Sequence, residues 1–119
     1  PGLNRRVIEA ALTAKMPFAP GVATPSEIEA ALEYDCDILK FFPAEPMGGI
    51  GYLKSMQAPY AHLGLQFIPL GGLHADNAEN YLKESCILAV GGSWIAKADA
   101  ISTGDWSGIK QRAAAVMGV

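Results

Sequence analysis

Cysteine is scarce in this chain: Cys36 and Cys86 stand far apart with no second pair nearby. That spacing excludes a disulfide framework and a zinc knuckle, and leaves free thiols in a reducing cytoplasm as the reading. Histidine is equally sparse. His62 and His74 have no cysteine or carboxylate at ligand spacing, so no metal is expected. No run of lysine or arginine offers an electrostatic footprint for nucleic acid, and no apolar stretch reaches the roughly 18 residues of a membrane span. The first residue is Pro1, with neither an initiator methionine nor a charged and apolar leader, so a cut or processed chain is expected rather than a targeted one. What remains is an ordinary globular composition of 119 residues, 50% hydrophobic and 18% charged, with a net charge of −3. It is enough for one core, and it points to small-molecule partners.

The apolar residues fall into a repeated order of helix, short strand and glycine-bearing loop. Asn4 caps a helix bearing Val7, Ile8, Ala11 and Leu12, which leads into a strand at Met16–Ala19, with Pro20 and Gly21 opening the loop. Thr24, Pro25 and Glu27 supply a hydroxyl cap, a first-turn proline and a glutamate three positions on, a strong helix start. That helix carries Ile28, Ala31 and Leu32 and gives way to a strand from Ile38, followed by Gly48 and Gly49. Tyr52, Leu53 and Met56 precede a strand at Leu65–Pro69 and then Gly71 and Gly72. Ala78, Tyr81 and Leu82 precede a strand at Ile87–Val90 and then Gly91, Gly92 and Ser93. A last helix lies around Trp106, Ile109 and Ala113. Alternation of this kind implies parallel βαβ units with ligands at the carboxyl ends of the strands. Pro20, Lys40, Phe42, Gly71, Gly72, Gly91, Gly92 and Ser93 are all expected on that edge.

Lys40 sits inside the apolar run Leu39–Phe42, and burial disfavours a charged amine. A neutral lysine attacks carbonyls, which makes Lys40 a candidate Schiff-base residue. The alternative is an edge-strand lysine or one whose stem carries its charge to water. Side chains two apart share a strand face, so Ile38, Lys40 and Phe42 point one way and Leu39 and Phe41 the other, with Phe42 between Lys40 and solvent. The two glycine pairs, with Ser93, read either as turn residues or as a phosphate site built from backbone N–H groups and a following helix.

The strings LKFFPAE at 39–45, PGVATPSE at 20–27, PLGGL at 69–73 and GGSW at 91–94 together resemble the 2-keto-3-deoxy-6-phosphogluconate (KDPG) aldolase and 4-hydroxy-2-oxoglutarate aldolase family, in order and across the chain. The resemblance implies a (β/α)8 TIM barrel and a class I aldolase without metal or cofactor. Its substrate would be a phosphorylated 2-keto acid cleaved to pyruvate and glyceraldehyde 3-phosphate. Lys40 would be the nucleophile, Phe42 the aromatic beside the Schiff base and Pro20 a loop contact near the pyruvyl end. Gly71, Gly72, Gly91, Gly92 and Ser93 would cradle the phosphate. Leu70 replaces a threonine in contact with substrate, which leaves the preferred keto acid open. His74 replaces the serine or threonine that caps the next helix, with a weaker helix start as the expectation. A cytoplasmic homo-oligomer, a trimer, is also implied.

Barrel domains run to about 200 residues or more with eight strands, and this pattern supplies four. Residues 1–119 are therefore expected to be the carboxyl-terminal half of one barrel, its last four β/α units. The family's general base, a glutamate, and its carboxylate-binding arginine belong to the preceding half, and Glu45 lies in a loop after Pro43. Two other readings stay open. One is a different phosphate-binding barrel enzyme in which Lys40 is an electrostatic contact; the other is a half-barrel that binds without catalysis.

Overall fold

Side-chain caps set where the helices begin, as seen in a computed structural model that describes residues 1–118. Asn4 Oδ1 accepts the Val7 N–H at 3.3 Å and starts α1, Arg5–Thr13. Thr24 Oγ1 accepts the Glu27 N–H at 3.3 Å, while Glu27 Oε2 accepts the Thr24 hydroxyl at 3.1 Å and the Ala23 N–H at 2.7 Å. This closes the expected start of α2, Pro25–Leu32. Helix α3 is Gly49–Gln57, continued by a 3-10 turn at Ala58–Leu63, and α4 is Ala75–Leu82. A short α5, Ala98–Ser102, precedes α6, Trp106–Met117, whose cap Asp105 accepts the Gly108 N–H at 3.0 Å.

The sheet is parallel and three-stranded in the order β1, β2, β3, with β1 at Gly21–Val22, β2 at Ile38–Phe41 and β3 at Gln66–Pro69. Lys40 is in register with Gly21 on one side and Ile68 on the other. Two expected strands differ. Met16–Ala19 is not a strand. Pro17 interrupts it and cannot donate to a ladder, Met16 and Phe18 are exposed, and pairing starts only where the Pro20 carbonyl accepts the Lys40 N–H at 2.9 Å. Ile87–Val90 reduces to one bridge, Ile87 with Phe67. Phe67 N–H donates to Cys86 O at 2.7 Å and Leu88 N–H to Phe67 O at 2.9 Å. The next donor in a parallel ladder would be the backbone nitrogen of residue 69, and that residue is proline.

The core lies on one face of the sheet. Val22, Leu39, Phe41, Leu65 and Phe67 are buried there against Ile28, Ala31, Leu53, Met56 and Tyr81 from the helices. Phe41 stacks on Tyr52 with ring centroids 6.0 Å apart, and the Tyr52 hydroxyl donates to Ala23 O at 2.6 Å. The opposite face carries Ile38, Lys40 and Phe42, of which Ile38 and Phe42 are 38% and 37% exposed. The period-two division of this strand is thus as expected, but Phe42 does not enclose Lys40.

Candidate active site

Lys40 rises from the middle of the sheet on its uncovered face, half-buried, with its backbone N–H held by Pro20 O. Its Nζ lies 5.0 Å from the centroid of the Phe42 ring, two residues along the strand. A cation over an aromatic face is stabilised by the ring's quadrupole, and that holds for an ammonium and an iminium alike. Among the described residues Nζ has no carboxylate partner.

Pro20 falls elsewhere than expected. It is fully buried and precedes β1 instead of opening the loop beyond it, because the strand begins after the proline. What Pro20 contributes here is its carbonyl, which fixes the backbone of Lys40.

Beyond β3, Leu70 N–H donates to Phe41 O at 3.0 Å, and the leucine side chain packs on Gly91. The chain then turns through Gly71 and Gly72, and Gly72 has a φ of +78° that favours glycine. A Cβ at Gly72 would stand 2.6 Å from Cβ of Glu45, so the close approach of two loops also requires glycine. Among the described residues the N–H groups of Gly71, Gly72 and Leu73 make no hydrogen bond. The second pair divides its duties. Gly91 N–H is engaged by Pro69 O at 3.3 Å, whereas the N–H groups of Gly92 and Ser93 and the Ser93 hydroxyl have no partner among the described residues. Gly92 supports the ring of Trp94, which lies 2.0 Å from where a Cβ would be. Unpaired backbone donors beyond β3 and in the loop that follows the Ile87 bridge can receive an anion.

His74 is the N-cap of α4 without a side-chain cap bond. The His74 N–H donates to Asn77 Oδ1 at 2.8 Å, the reciprocal half of a capping box, and Asn77 Nδ2 donates to Gly72 O at 3.1 Å. The imidazole Nδ1 lies 3.5 Å from Asp76 Oδ2.

The partner of Glu45 and the role of Arg112 were not read from sequence. Glu45 Oε1 accepts the hydroxyl of Tyr81, a buried residue of α4. Burial, then that hydrogen bond, pushes the Tyr81 phenol well above its ordinary value. The available signal was a tyrosine on the apolar face of a helix, whose hydroxyl must find a partner. Arg112 of α6 donates from Nε to Ile95 O at 2.9 Å and so braces the loop that follows Ser93. It also lines a cavity of about 590 Å³ with His74, Trp94, Lys97 and Asp99, to which neither Lys40 nor Phe42 contributes. No group of three or more metal-ligating side chains occurs among the described residues, and no helix is long and apolar enough to cross a membrane.

The sequence profile of the KDPG and KHG aldolases matches residues 1–112. The 2-dehydro-3-deoxy-phosphogluconate aldolase of Treponema pallidum is 38% identical over all of this chain and 57% of its own length. The KHG/KDPG aldolase of Escherichia coli K12 is 36% identical over 95% of this chain and 52% of its own. Among solved structures, the KDPG aldolase of Legionella pneumophila, with pyruvate captured as a covalent carbinolamine intermediate, superposes with a TM-score of 0.90. It is 37% identical and is matched over 98% of this chain and 55% of that one. The enzyme of Zymomonas mobilis with 3-phosphoglycerate gives a TM-score of 0.77 at 39% identity over 82% of this chain and 46% of that one. The chain therefore spans about half the length of the relatives it matches, and the corresponding half of a TIM barrel. By profile, identity and fold, it belongs to the KDPG and KHG aldolase family.

Proposed function

We propose that this chain carries the Schiff-base half of a class I aldolase acting on a phosphorylated 2-keto acid, with 2-keto-3-deoxy-6-phosphogluconate as the substrate the family membership favours. The observation that carries the reading is Lys40 on the uncovered face of the parallel sheet, beside Phe42. The neutral amine adds to the C2 carbonyl to give a carbinolamine, which loses water to an iminium. The iminium then accepts the electron pair of the C3–C4 bond as an enamine of pyruvate. The C4 hydroxyl gives up its proton to a base, and glyceraldehyde 3-phosphate departs. Phe42 stabilises the cationic intermediate through its ring face. The free N–H groups of Gly71, Gly72, Gly92 and Ser93, with the Ser93 hydroxyl, receive the phosphate. Gly91 and Leu70 shape the turn between them, and the Pro20 carbonyl anchors the strand.

Residues 1–119 are read as the carboxyl-terminal half of a single barrel domain. Two observations support this: the length matched in the relatives and the apolar residues Ile38, Phe42 and Leu88 left exposed along the inner face. Among the described residues no carboxylate forms an ion pair with Lys40, and Glu45 is committed to Tyr81, so the base is expected outside this chain. Assembly as a homo-oligomer, a trimer, in the cytoplasm is part of the same reading. Incubation with pyruvate and borohydride tests it: a reduced adduct on Lys40 supports the nucleophile, and a folded protein without one removes it.

A further inference from the structure

Glu45 joins three pieces of the chain. It follows the strand bearing Lys40, and its own N–H donates to Gly71 O at 3.0 Å beside an Ala44 N–H bond to Leu70 O at 2.8 Å. Its side chain crosses Gly72, and its carboxylate accepts the hydroxyl of Tyr81 on α4. The same carboxylate would lie 3.1 Å from a Cβ at Gly49, the first residue of α3. Tyr81 is 1% exposed, and with its phenol pushed upward it remains a donor throughout the neutral range.

Backbone bonds tie the turn after β3 to the loop of Glu45, and Asn77 of α4 ties Gly72 to the helix that follows. The side-chain bond ties the loop of Glu45 itself to α4, the helix that the turn leads into, so that the two loops and the helix hold one another. We propose that Glu45 and Tyr81 are positioning residues that fix the span between the Lys40 amine and the free N–H groups of Gly71 and Gly72, and thereby set the preference for a phosphorylated keto acid over pyruvate. The inference rests on the aldolase reading above. An iminium on Lys40 pins one end of a substrate, so a phosphate at the other end must meet donors held at a fixed distance. Pyruvate has no group that reaches the turn, and its reaction with Lys40 does not depend on that distance.

The test uses the full chain with two competing keto acids: pyruvate, and 6-phospho-2-ketohexanoate, which lacks a C4 hydroxyl and so forms the iminium without being cleaved. After borohydride reduction the two adducts on Lys40 are counted by mass, with circular dichroism as the check of folding. Tyr81→Phe and Glu45→Ala are expected to lower the ratio of phosphorylated to pyruvate adduct about fivefold, the worth of one ordinary hydrogen bond. Glu45→Gln, whose amide oxygen still accepts from the tyrosine, is expected to keep the ratio within about twofold of the parent. Equal loss of both adducts, or an unchanged ratio in Tyr81→Phe and Glu45→Ala, overturns the positioning role. Absence of any adduct on Lys40 in the parent chain overturns the aldolase reading and the inference with it.

Discussion

At Lys40 the local sequence contains nearly all of its own geometry. A strand has a period of two, so Leu39 and Phe41 in the core oblige Lys40 and Phe42 to share the other face, and they do. The contact between them is a cation over a ring at 5.0 Å. Replacing Phe42 with leucine keeps apolar bulk and removes the ring face. Cation–π attraction at a site of this exposure is worth about 0.5–1 kcal/mol for the ammonium and the iminium alike, so Phe42→Leu is expected to leave pyruvate trapping on Lys40 within about twofold of the parent, with little change in stability. Trapping yields at a fixed pyruvate concentration check this. The pairing of Glu45 with Tyr81 was not legible, because its partners are 36 positions apart and only the packing of α4 over the β2 loop brings them together. The burial of Pro20 escaped for a related reason: a proline before a glycine reads as a loop, whereas here its carbonyl begins a ladder.

Capping decides the helices, and capping is local enough to be read directly. The Thr24 and Glu27 pair binds the first turn of α2, so Thr24→Ala is expected to destabilise the chain by about 1 kcal/mol, seen as a lower urea midpoint at unchanged slope. The strands were harder. An apolar run such as Met16–Ala19 has strand composition, but Pro17 removes a donor and no neighbour covers the side chains, so burial goes to Gly21–Val22 instead. Ile87–Val90 has the right residues too, and its failure beyond one bridge comes from its neighbour: Pro69 withholds the N–H that the next rung needs. A strand's own sequence does not record what the facing strand can donate. His74 lacks the side-chain cap bond a hydroxyl would make, and what the sequence did not suggest is that Asn77, three positions on, accepts the His74 N–H.

For the whole molecule, the ionisable groups with resolved shifts all move in one direction. Tyr81, Tyr34 and Tyr60 are raised above 10.0, and Cys36 and Cys86 above 9.0. Burial leads in each case except Tyr60, where the hydrogen bond to Glu29 comes first. The unfolded chain therefore releases these protons before the folded one does, and stability falls where the unfolded state binds fewer. Stability from these groups is full below about pH 8, declines first through the cysteines as pH rises past 9 and then through the tyrosines past 10, and Tyr81→Phe is expected to flatten the later part of that decline. Urea midpoints measured from neutral to alkaline pH check the sign. The parallel α/β class was legible from the alternation of helices, short apolar runs and strand-end glycines, and the barrel from the resemblance of the motif strings. The extent of the sheet was not, because the inner face bearing Ile38, Phe42 and Leu88 is covered by nothing among the described residues. The central claim is that Lys40 forms an iminium with a 2-keto acid. Its most direct measurement is reduction with borohydride in the presence of pyruvate, followed by peptide mapping of the parent chain and of Lys40→Met. The account predicts one reduced pyruvate on the peptide containing Lys40 and none in the variant; a folded parent chain left unmodified, or modified equally in Lys40→Met, would contradict it.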